Sequence, residues 1–305
     1  MGLALADFYA RTDLAYSQFI ALSRALAPIW LIGLWVTASL TWFGRSWVTA
    51  WISGSRSDDE WHHRALGMPA GAVLGLVSPF PLLSLTSTLG LLLQAKRSRS
   101  FAVGLALGSV MMSPAALTFG LVAMGIRLVI LQVVIALIIA CGAGVALTRM
   151  SPVSVLRSHA WPPRTEAKQP ESQTLAAYFT WLGRHLTAMA PHFVLALLIV
   201  AWLTVILPAN AVVRTMGYLG PFAVPAAAIL GAGVHQCPST LPVAAELFAQ
   251  AGMSGGALLA YVTFGQVTTI RNLAGLSCLL KPRAIGILLG IALCSAILMG
   301  WLAWA

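Results

Sequence analysis

Glu246 has the clearest capacity for chemistry, because it is the only acidic residue inside any of the long hydrophobic stretches of this sequence. A carboxylate placed deep in a membrane costs about 2.5–3.5 kcal/mol to insert, so it is expected to face a cavity or a partner. There it can bind a proton or a cation, which predicts a coupling or binding role. The alternative is a position near the end of its segment, from which the side chain reaches the membrane interface.

Arg271 lies in another hydrophobic run, directly after Thr268, Thr269 and an isoleucine. Its guanidinium can hold an anionic ligand, pair with Glu246 or extend to the interface. The two threonines can donate neutral hydrogen bonds to a ligand. They can equally bond a carbonyl of their own helix, as hydroxyl side chains in membrane helices often do.

A third group of candidates surrounds a proline-containing interruption, where His235 and Cys237 are two residues apart. Imidazole and thiolate bind soft metals and metalloids, but two ligands do not complete a site, so no metal site is predicted. An unwound segment could present both side chains to one cavity, and the alternative is local capping of a broken helix. The ligand-binding candidates of this segment are His235, Gln236, Cys237, Ser239 and Thr240, and Ser78 and Ser113 are expected to face them from the first half.

The composition shows what kind of chain must position these residues. It has 305 residues, of which 59% are hydrophobic and only 9% charged, against about 25% charged in a soluble domain. This excludes a soluble globular enzyme, a disordered chain and a disulfide scaffold. Eight charge-free stretches are each long enough for a membrane helix, and they are 25–44, 65–95, 100–126, 128–148, 185–213, 215–245, 247–270 and 284–305.

The predicted fold class is therefore an all-α polytopic membrane protein. The net charge of +10 fits basic cytoplasmic loops of a membrane protein, so the lipid bilayer and not nucleic acid is the expected partner. No Walker loop, GxGxxG, HExxH or GxSxG motif occurs, so neither a cofactor nor an enzyme activity is predicted.

The chain divides into four segments. Residues 1–24 are an amphipathic N-terminal segment, and residues 149–185 are a proline-containing linker, predicted to be cytoplasmic. The flanking regions, 25–148 and 186–305, look like two copies of one repeat. Leu74-Gly75 is matched by Leu230-Gly231, and Gly108-Ser109-Val110 by Gly265-Gln266-Val267, at a nearly constant offset of about 156 positions. Internal duplication of this kind is typical of secondary transporters.

The second hydrophobic segment of each repeat is long and interrupted by prolines. Residues 68–94 contain Ser78-Pro79-Phe80-Pro81, and residues 220–250 contain the run from His235 to Pro242. If each forms a re-entrant hairpin, six helices cross the membrane, and thirteen Lys and Arg residues lie on the cytoplasmic side against four outside. That asymmetry favours inverted repeats of three crossings plus one hairpin. The alternatives are ordinary kinked helices and eight crossings.

Two stretches carry a family resemblance. The run from Leu230 to Leu247, with the small-residue helix from Gly252 to Ala260, resembles the second-half signature of the ArsP/YraQ-type permeases. The run from Gly108 to Ala115 has the matching layout in the first half. The resemblance covers roughly 25–148 and 186–304. Where the family has a Cys-Ser-Cys run in the first half, this sequence has Ser78-Pro79-Phe80, so Cys237 is the only motif thiol.

The resemblance implies a multi-pass permease of the bacterial inner membrane, with one branch of the family exporting trivalent organoarsenicals. The expected function is a secondary transporter that exports a small solute, an organoarsenical or another metal or metalloid species, through a site formed by the two broken segments. A non-transporting subunit of a membrane complex and an intramembrane enzyme remain the alternatives. A homo-oligomer or a membrane-complex partner is also compatible with the sequence.

Overall fold

The computed structural model describes residues 2–54, 61–77, 99–112, 116–117, 120–121, 124–150, 174–206, 209–217, 222–234 and 241–304. These residues form helices and short connections, with no strand among them, which confirms the all-α fold class. The helices are α1 (Gly2–Gly54), α2 (Trp61–Val77), α3 (Arg99–Met111), α4 (Gly125–Arg149), α5 (Leu175–Ile206), α6 (Ala209–Met216), α7 (Ala223–Val234), α8 (Leu241–Gln250), α9 (Gly255–Val267), α10 (Ile270–Leu279) and α11 (Pro282–Trp304).

Four of these helices contain a span long and apolar enough to cross a membrane. The spans are Phe8–Val36 in α1, Gly125–Leu147 in α4, Leu175–Ile206 in α5 and Pro282–Ala303 in α11, and the shortest has 22 residues. Twenty-two residues rise about 33 Å, which matches the hydrocarbon thickness of a bilayer. The protein is therefore a multi-pass membrane protein.

The first predicted boundary does not mark the end of a helix, because α1 continues from Gly2 to Gly54 with Pro28 inside it. The segment 1–24 and the first membrane helix are thus one element. Pro191 similarly lies inside α5, which begins at Leu175 within the predicted linker. Proline removes one backbone donor, but membrane helices tolerate that loss where neighbouring groups satisfy the freed carbonyl.

Among the described residues, four further helical stretches are apolar but shorter, at Gly67–Leu76, Phe101–Met111, Ala223–Gly233 and Gly255–Val267. Ten to thirteen residues rise about 15–20 Å, roughly half the hydrocarbon thickness. The stretch 247–270 contains all of α9, which ends at Val267, and the first residue of α10, Ile270. From Gly256 to Val267 every residue of α9 is buried, so this short helix is central to the bundle.

Glycines set the closest helix contacts, and they do so in the same way in both halves. A Cβ on Gly75 of α2 would meet the backbone of α3, 2.7 Å from the amide nitrogen of Ser109. A Cβ on Gly231 of α7 would meet the backbone of α9, 3.3 Å from the amide nitrogen of Gly265. A larger residue at either position would force the two backbones apart.

The first helix of each half packs against the other through aromatic residues. Trp30 of α1 and Phe193 of α5 stack with ring centroids 4.5 Å apart. Further along the same pair of helices, the hydroxyl groups of Ser39 and Tyr178 are 2.7 Å apart. These contacts join α1 to α5, and Trp30 and Phe193 belong to a buried cluster that includes residues of α8 and α9. A second buried cluster contains residues of α3, α4, α9 and α11.

Candidate functional site

The end of α9 is a helix break in the buried interior. Thr269 is the N-cap of α10, and its Oγ1 accepts a hydrogen bond from the backbone N–H of Asn272 at 3.3 Å. The Thr268 hydroxyl donates back to the carbonyl oxygen of Phe264 at 3.0 Å. Threonine side chains that bond the backbone in this way offer it an alternative to the helical ladder, so the break forms here without a proline.

Asn272 joins this break to the first half of the chain. Its side-chain Nδ2 donates to the carbonyl oxygen of Val110 at 3.0 Å and to that of Gln266 at 2.7 Å. Val110 lies in the last turn of α3, and Gln266 lies in the last turn of α9. Both carbonyls are near helix ends, where oxygens lack a partner within their own helix. One amide therefore bonds the C-terminal ends of α3 and α9 at once.

Two glutamines meet beside the same break. Gln132 Nε2 of α4 donates to Gln266 Oε1 at 3.2 Å, and both side chains are 1% exposed. Gln132 Oε1 and Gln266 Nε2 are left without a hydrogen-bond partner, as is Thr263 Oγ1 one turn earlier in α9. Within the described part of the chain these are the three buried side-chain polar atoms without a partner. An unsatisfied buried polar atom costs about 1–3 kcal/mol, so such groups are normally paired.

The residues that flank the predicted breaks contact this region. Leu241 Cδ2, at the start of α8, is 2.8 Å from the point where a Cβ on Gly265 would lie, and Gly231 near the end of α7 also contacts Gly265. One residue on each side of the segment between α7 and α8 therefore lies beside Gly265, which precedes Gln266. In the first half, α2 packs through Gly75 against Ser109 and ends at Val77, one residue before Ser78.

Seven of the predicted site residues lie outside the described ranges, and they are Ser78, Ser113, His235, Gln236, Cys237, Ser239 and Thr240. Of the other four, Thr268 and Thr269 are both at the break. Their hydroxyl groups bond backbone carbonyls, Thr269 with that of Gln266 at 3.3 Å. A direct contact between either threonine and a ligand stays a prediction.

The two charged residues of the predicted site, Glu246 and Arg271, each form a hydrogen bond with a neighbouring side chain. Glu246 is half-buried on α8, and its Oε1 accepts a hydrogen bond from Gln250 Nε2 at 3.5 Å. Since α8 starts beside Gly265, Glu246 is about 7.5 Å of helix rise beyond that contact. Arg271 is partly buried on α10, and its Nη1 donates to Met189 Sδ of α5 at 3.4 Å. Their roles in binding and coupling stay predictions.

Sequence reasoning missed Gln132 and Asn272 and gave Gln266 only a role in the repeat. The signal was present: Gln132 is the only Asn or Gln in the charge-free stretch 128–148. Amide side chains are costly in hydrocarbon without a partner, as charges are. The neutral polar candidates predicted from the sequence lay at the two proline-containing interruptions, at Ser113 and directly before Arg271, and did not include Gln132 or Asn272. Among the described residues no group of three His, Cys, Asp or Glu side chains could hold a metal ion.

A bundle of membrane-spanning and half-length helices around a buried polar break is an architecture of membrane transport proteins. The chain belongs to the ArsP_1 family, described as "Predicted permease", whose family model matches residues 24–304. The protein is accordingly a membrane permease, and the resemblance found in the sequence is confirmed. No curated protein and no solved structure matches the chain.

Proposed function

We propose that this permease is a secondary transporter that exports a small solute through a site at the buried helix break. The observation that carries the proposal is the bridge from Asn272 to Val110 and Gln266, which holds the ends of α3 and α9 together. Half-membrane helices whose ends meet around polar groups are the usual way in which transporters build a solute site. Permease family membership favours transport over an enzyme activity.

The glycine contacts of the two halves support an internal repeat and the placement of the site. Gly75 packs against Leu105 and Ser109, and about 156 positions later Gly231 packs against Tyr261 and Gly265. The two halves thus use equivalent residues for a close helix contact. In this proposal the halves are inverted repeats, and each contributes a re-entrant hairpin whose tip lies near Pro79 or Pro238.

The segments at these tips complete the proposed site. Gly231 and Leu241 both contact Gly265, so the chain between them enters and leaves beside Gln266. Gln236, Ser239 and Thr240 would then supply polar contacts, with His235 and Cys237 on the same segment. Ser78 and Ser113 would face them from the first half. Glu246, beyond Leu241 on α8, is the proposed coupling carboxylate.

The direction of transport and the solute rest on the family resemblance, which points to export of organoarsenicals. A single motif thiol at Cys237 gives a soft metalloid one bond, where several ligands normally supply affinity. Arg271 and the neutral polar groups suit a small polar solute at least as well. We therefore expect recognition by hydrogen bonds, with thiolate contributing little.

Everted membrane vesicles of a bacterial host test the proposal. Vesicles with this protein are supplied with a trivalent phenylarsenical, a divalent metal cation or a small anion, and accumulation is followed with and without a proton uncoupler. We expect one class to accumulate above empty vesicles in an uncoupler-sensitive way. Asn272→Leu should abolish that accumulation, while Asn210→Leu on the exposed face of α6 should leave it intact. Equal accumulation in the two variants would show that the break is not part of the transport path.

A further inference from the structure

We infer that the Gln132–Gln266 pair is a binding subsite for an uncharged solute that carries both a hydrogen-bond donor and an acceptor. This inference rests on the proposed transport function and names the class of solute. Its starting point is the pair of unpartnered amide atoms, Gln132 Oε1 and Gln266 Nε2, on side chains that are 1% exposed. One is an acceptor and the other a donor.

The pair offers this combination whichever way the two amides are oriented. In the orientation observed, Gln132 Nε2 donates to Gln266 Oε1 at 3.2 Å. Turning both amides reverses the direction of that bond and still leaves one acceptor and one donor. The complementary ligand therefore presents both a donor and an acceptor, as an amide, a hydroxy compound or an undissociated acid does.

A third unpartnered atom extends the subsite along α9. Thr263 Oγ1 has no hydrogen-bond partner, and its residue is 3% exposed. Thr263 precedes Gln266 by three positions, so the two side chains lie on the same face of the helix, one above the other. A hydroxyl group both donates and accepts, so Thr263 can bond either kind of group on a ligand.

The charge of the surroundings decides between a neutral and an ionic ligand. The buried polar side chains of the described residues are Ser109, Gln132, Ser254, Thr263, Gln266, Thr268, Thr269 and Asn272, and all eight are uncharged. An ion in an apolar interior requires a counter-charge or many hydrogen bonds. Two amides and a hydroxyl group supply neither, so this subsite favours an uncharged solute over an anion or a cation.

The test uses acetamide, acetate and acetone, which have the same number of heavy atoms and one methyl proton resonance each. Acetamide has a donor and an acceptor, acetate is an anion, and acetone has only an acceptor. Saturation-transfer NMR of the full-length protein in detergent measures the binding of all three compounds in one sample. We expect the strongest transfer to acetamide, with binding about fivefold weaker in Gln266→Met because one hydrogen bond is lost. Gln18→Met, on the exposed part of α1, should bind as the wild type does.

The outcomes separate this inference from the proposed function. Stronger transfer to acetate than to acetamide, lost in Gln266→Met, would keep the site and overturn the uncharged class. Transfer that Gln266→Met leaves unchanged, or transfer to none of the three probes, would overturn the subsite itself. Uncoupler-sensitive accumulation in vesicles would still stand in that case. Thr263→Val, which removes the third atom at constant volume, repeats the comparison if Gln266→Met does not fold.

Discussion

The Asn272 side chain donates a hydrogen bond to the carbonyl oxygen of Val110, which lies 162 positions earlier in the chain, at 3.0 Å. The same nitrogen donates to Gln266 at 2.7 Å. Because both oxygens are near helix ends, one side chain satisfies groups that hydrocarbon cannot. The first and second halves of the permease are thereby joined at the point where both short helices stop.

Replacing Asn272 by Asp should destabilise the protein by about 1–3 kcal/mol, because the carbonyl oxygen of Val110 loses its donor and that of Gln266 loses one of two donors. An ionised carboxylate would also be repelled by both oxygens. Thermal unfolding in detergent measures the effect, and Asn210→Asp on the exposed face of α6 is the matched control. Identical unfolding temperatures for the two variants would show that the bridge contributes nothing to stability.

Gly231→Ala should lower stability by about 1–3 kcal/mol, because a methyl group there meets the backbone of α9 and forces the helices apart. Gly75→Ala should do the same between α2 and α3. In Gly286→Ala nothing lies within 4 Å of the added Cβ, so that variant should be neutral or gain up to about 1 kcal/mol of helix propensity. Denaturant titration measures the free energy of unfolding of the three variants. An unchanged free energy of unfolding in Gly231→Ala would contradict the close packing.

Glu246→Gln should strongly reduce transport while expression stays intact, because the variant keeps the size of the side chain and loses its charge. Accumulation in everted vesicles across the near-neutral pH range measures the effect. The control is Gln250→Ala, which removes the residue that hydrogen-bonds Glu246 at 3.5 Å and keeps the carboxylate. Unchanged transport by Glu246→Gln at every pH would show that the carboxylate is not needed.

Cys237→Ser should retain transport of whichever solute is identified, because a single thiolate gives a soft ion only one bond. Serine keeps a small polar group at the position. Solute accumulation in vesicles is compared between Cys237→Ser and Cys278→Ser, which separates the effect of the motif thiol from that of another cysteine. Complete loss of transport in folded Cys237→Ser protein would establish thiolate recognition instead.

The re-entrant model expects residues 44–67 and 95–100 to lie on the same side of the membrane. Single cysteines at Arg56 and Arg97, in a background without the four native cysteines, should therefore both react with an impermeant maleimide from the cytoplasmic side. Arg127→Cys should react only from the opposite side. Labelling of Arg56→Cys and Arg97→Cys from opposite sides would favour eight crossings.

The class of fold could be predicted because it depends on composition along the chain. Stretches without charge are expected to lie in hydrocarbon, and α4 and α11 follow the stretches at 128–148 and 284–305 closely. The third helix, α5, begins ten residues before its stretch at 185–213. The extent of α1 could not be read in this way. Polar residues near its start suggested a separate amphipathic segment, but nothing in the sequence between Arg11 and Pro28 compels a helix to end.

The break at Thr268 was missed for a different reason. Proline marks a break in sequence because its effect is local, whereas threonine interrupts a helix only where its bonds compete successfully with the ladder. Here the competing arrangement depends on Asn272, whose partner Val110 lies in the other half of the chain. A contact at that sequence separation leaves no local pattern.

The glycine contacts also limit how the bundle can move. At Gly75 and Gly231 the backbones of adjoining helices touch without intervening side chains, so no rotamer change can let one helix slide over the other. Each pair, α2 with α3 and α7 with α9, should therefore move as one rigid unit. Rearrangement of the permease must then take place where side chains can re-pack, and the contact between α4 and α9 that the Gln132–Gln266 bond spans is one such place.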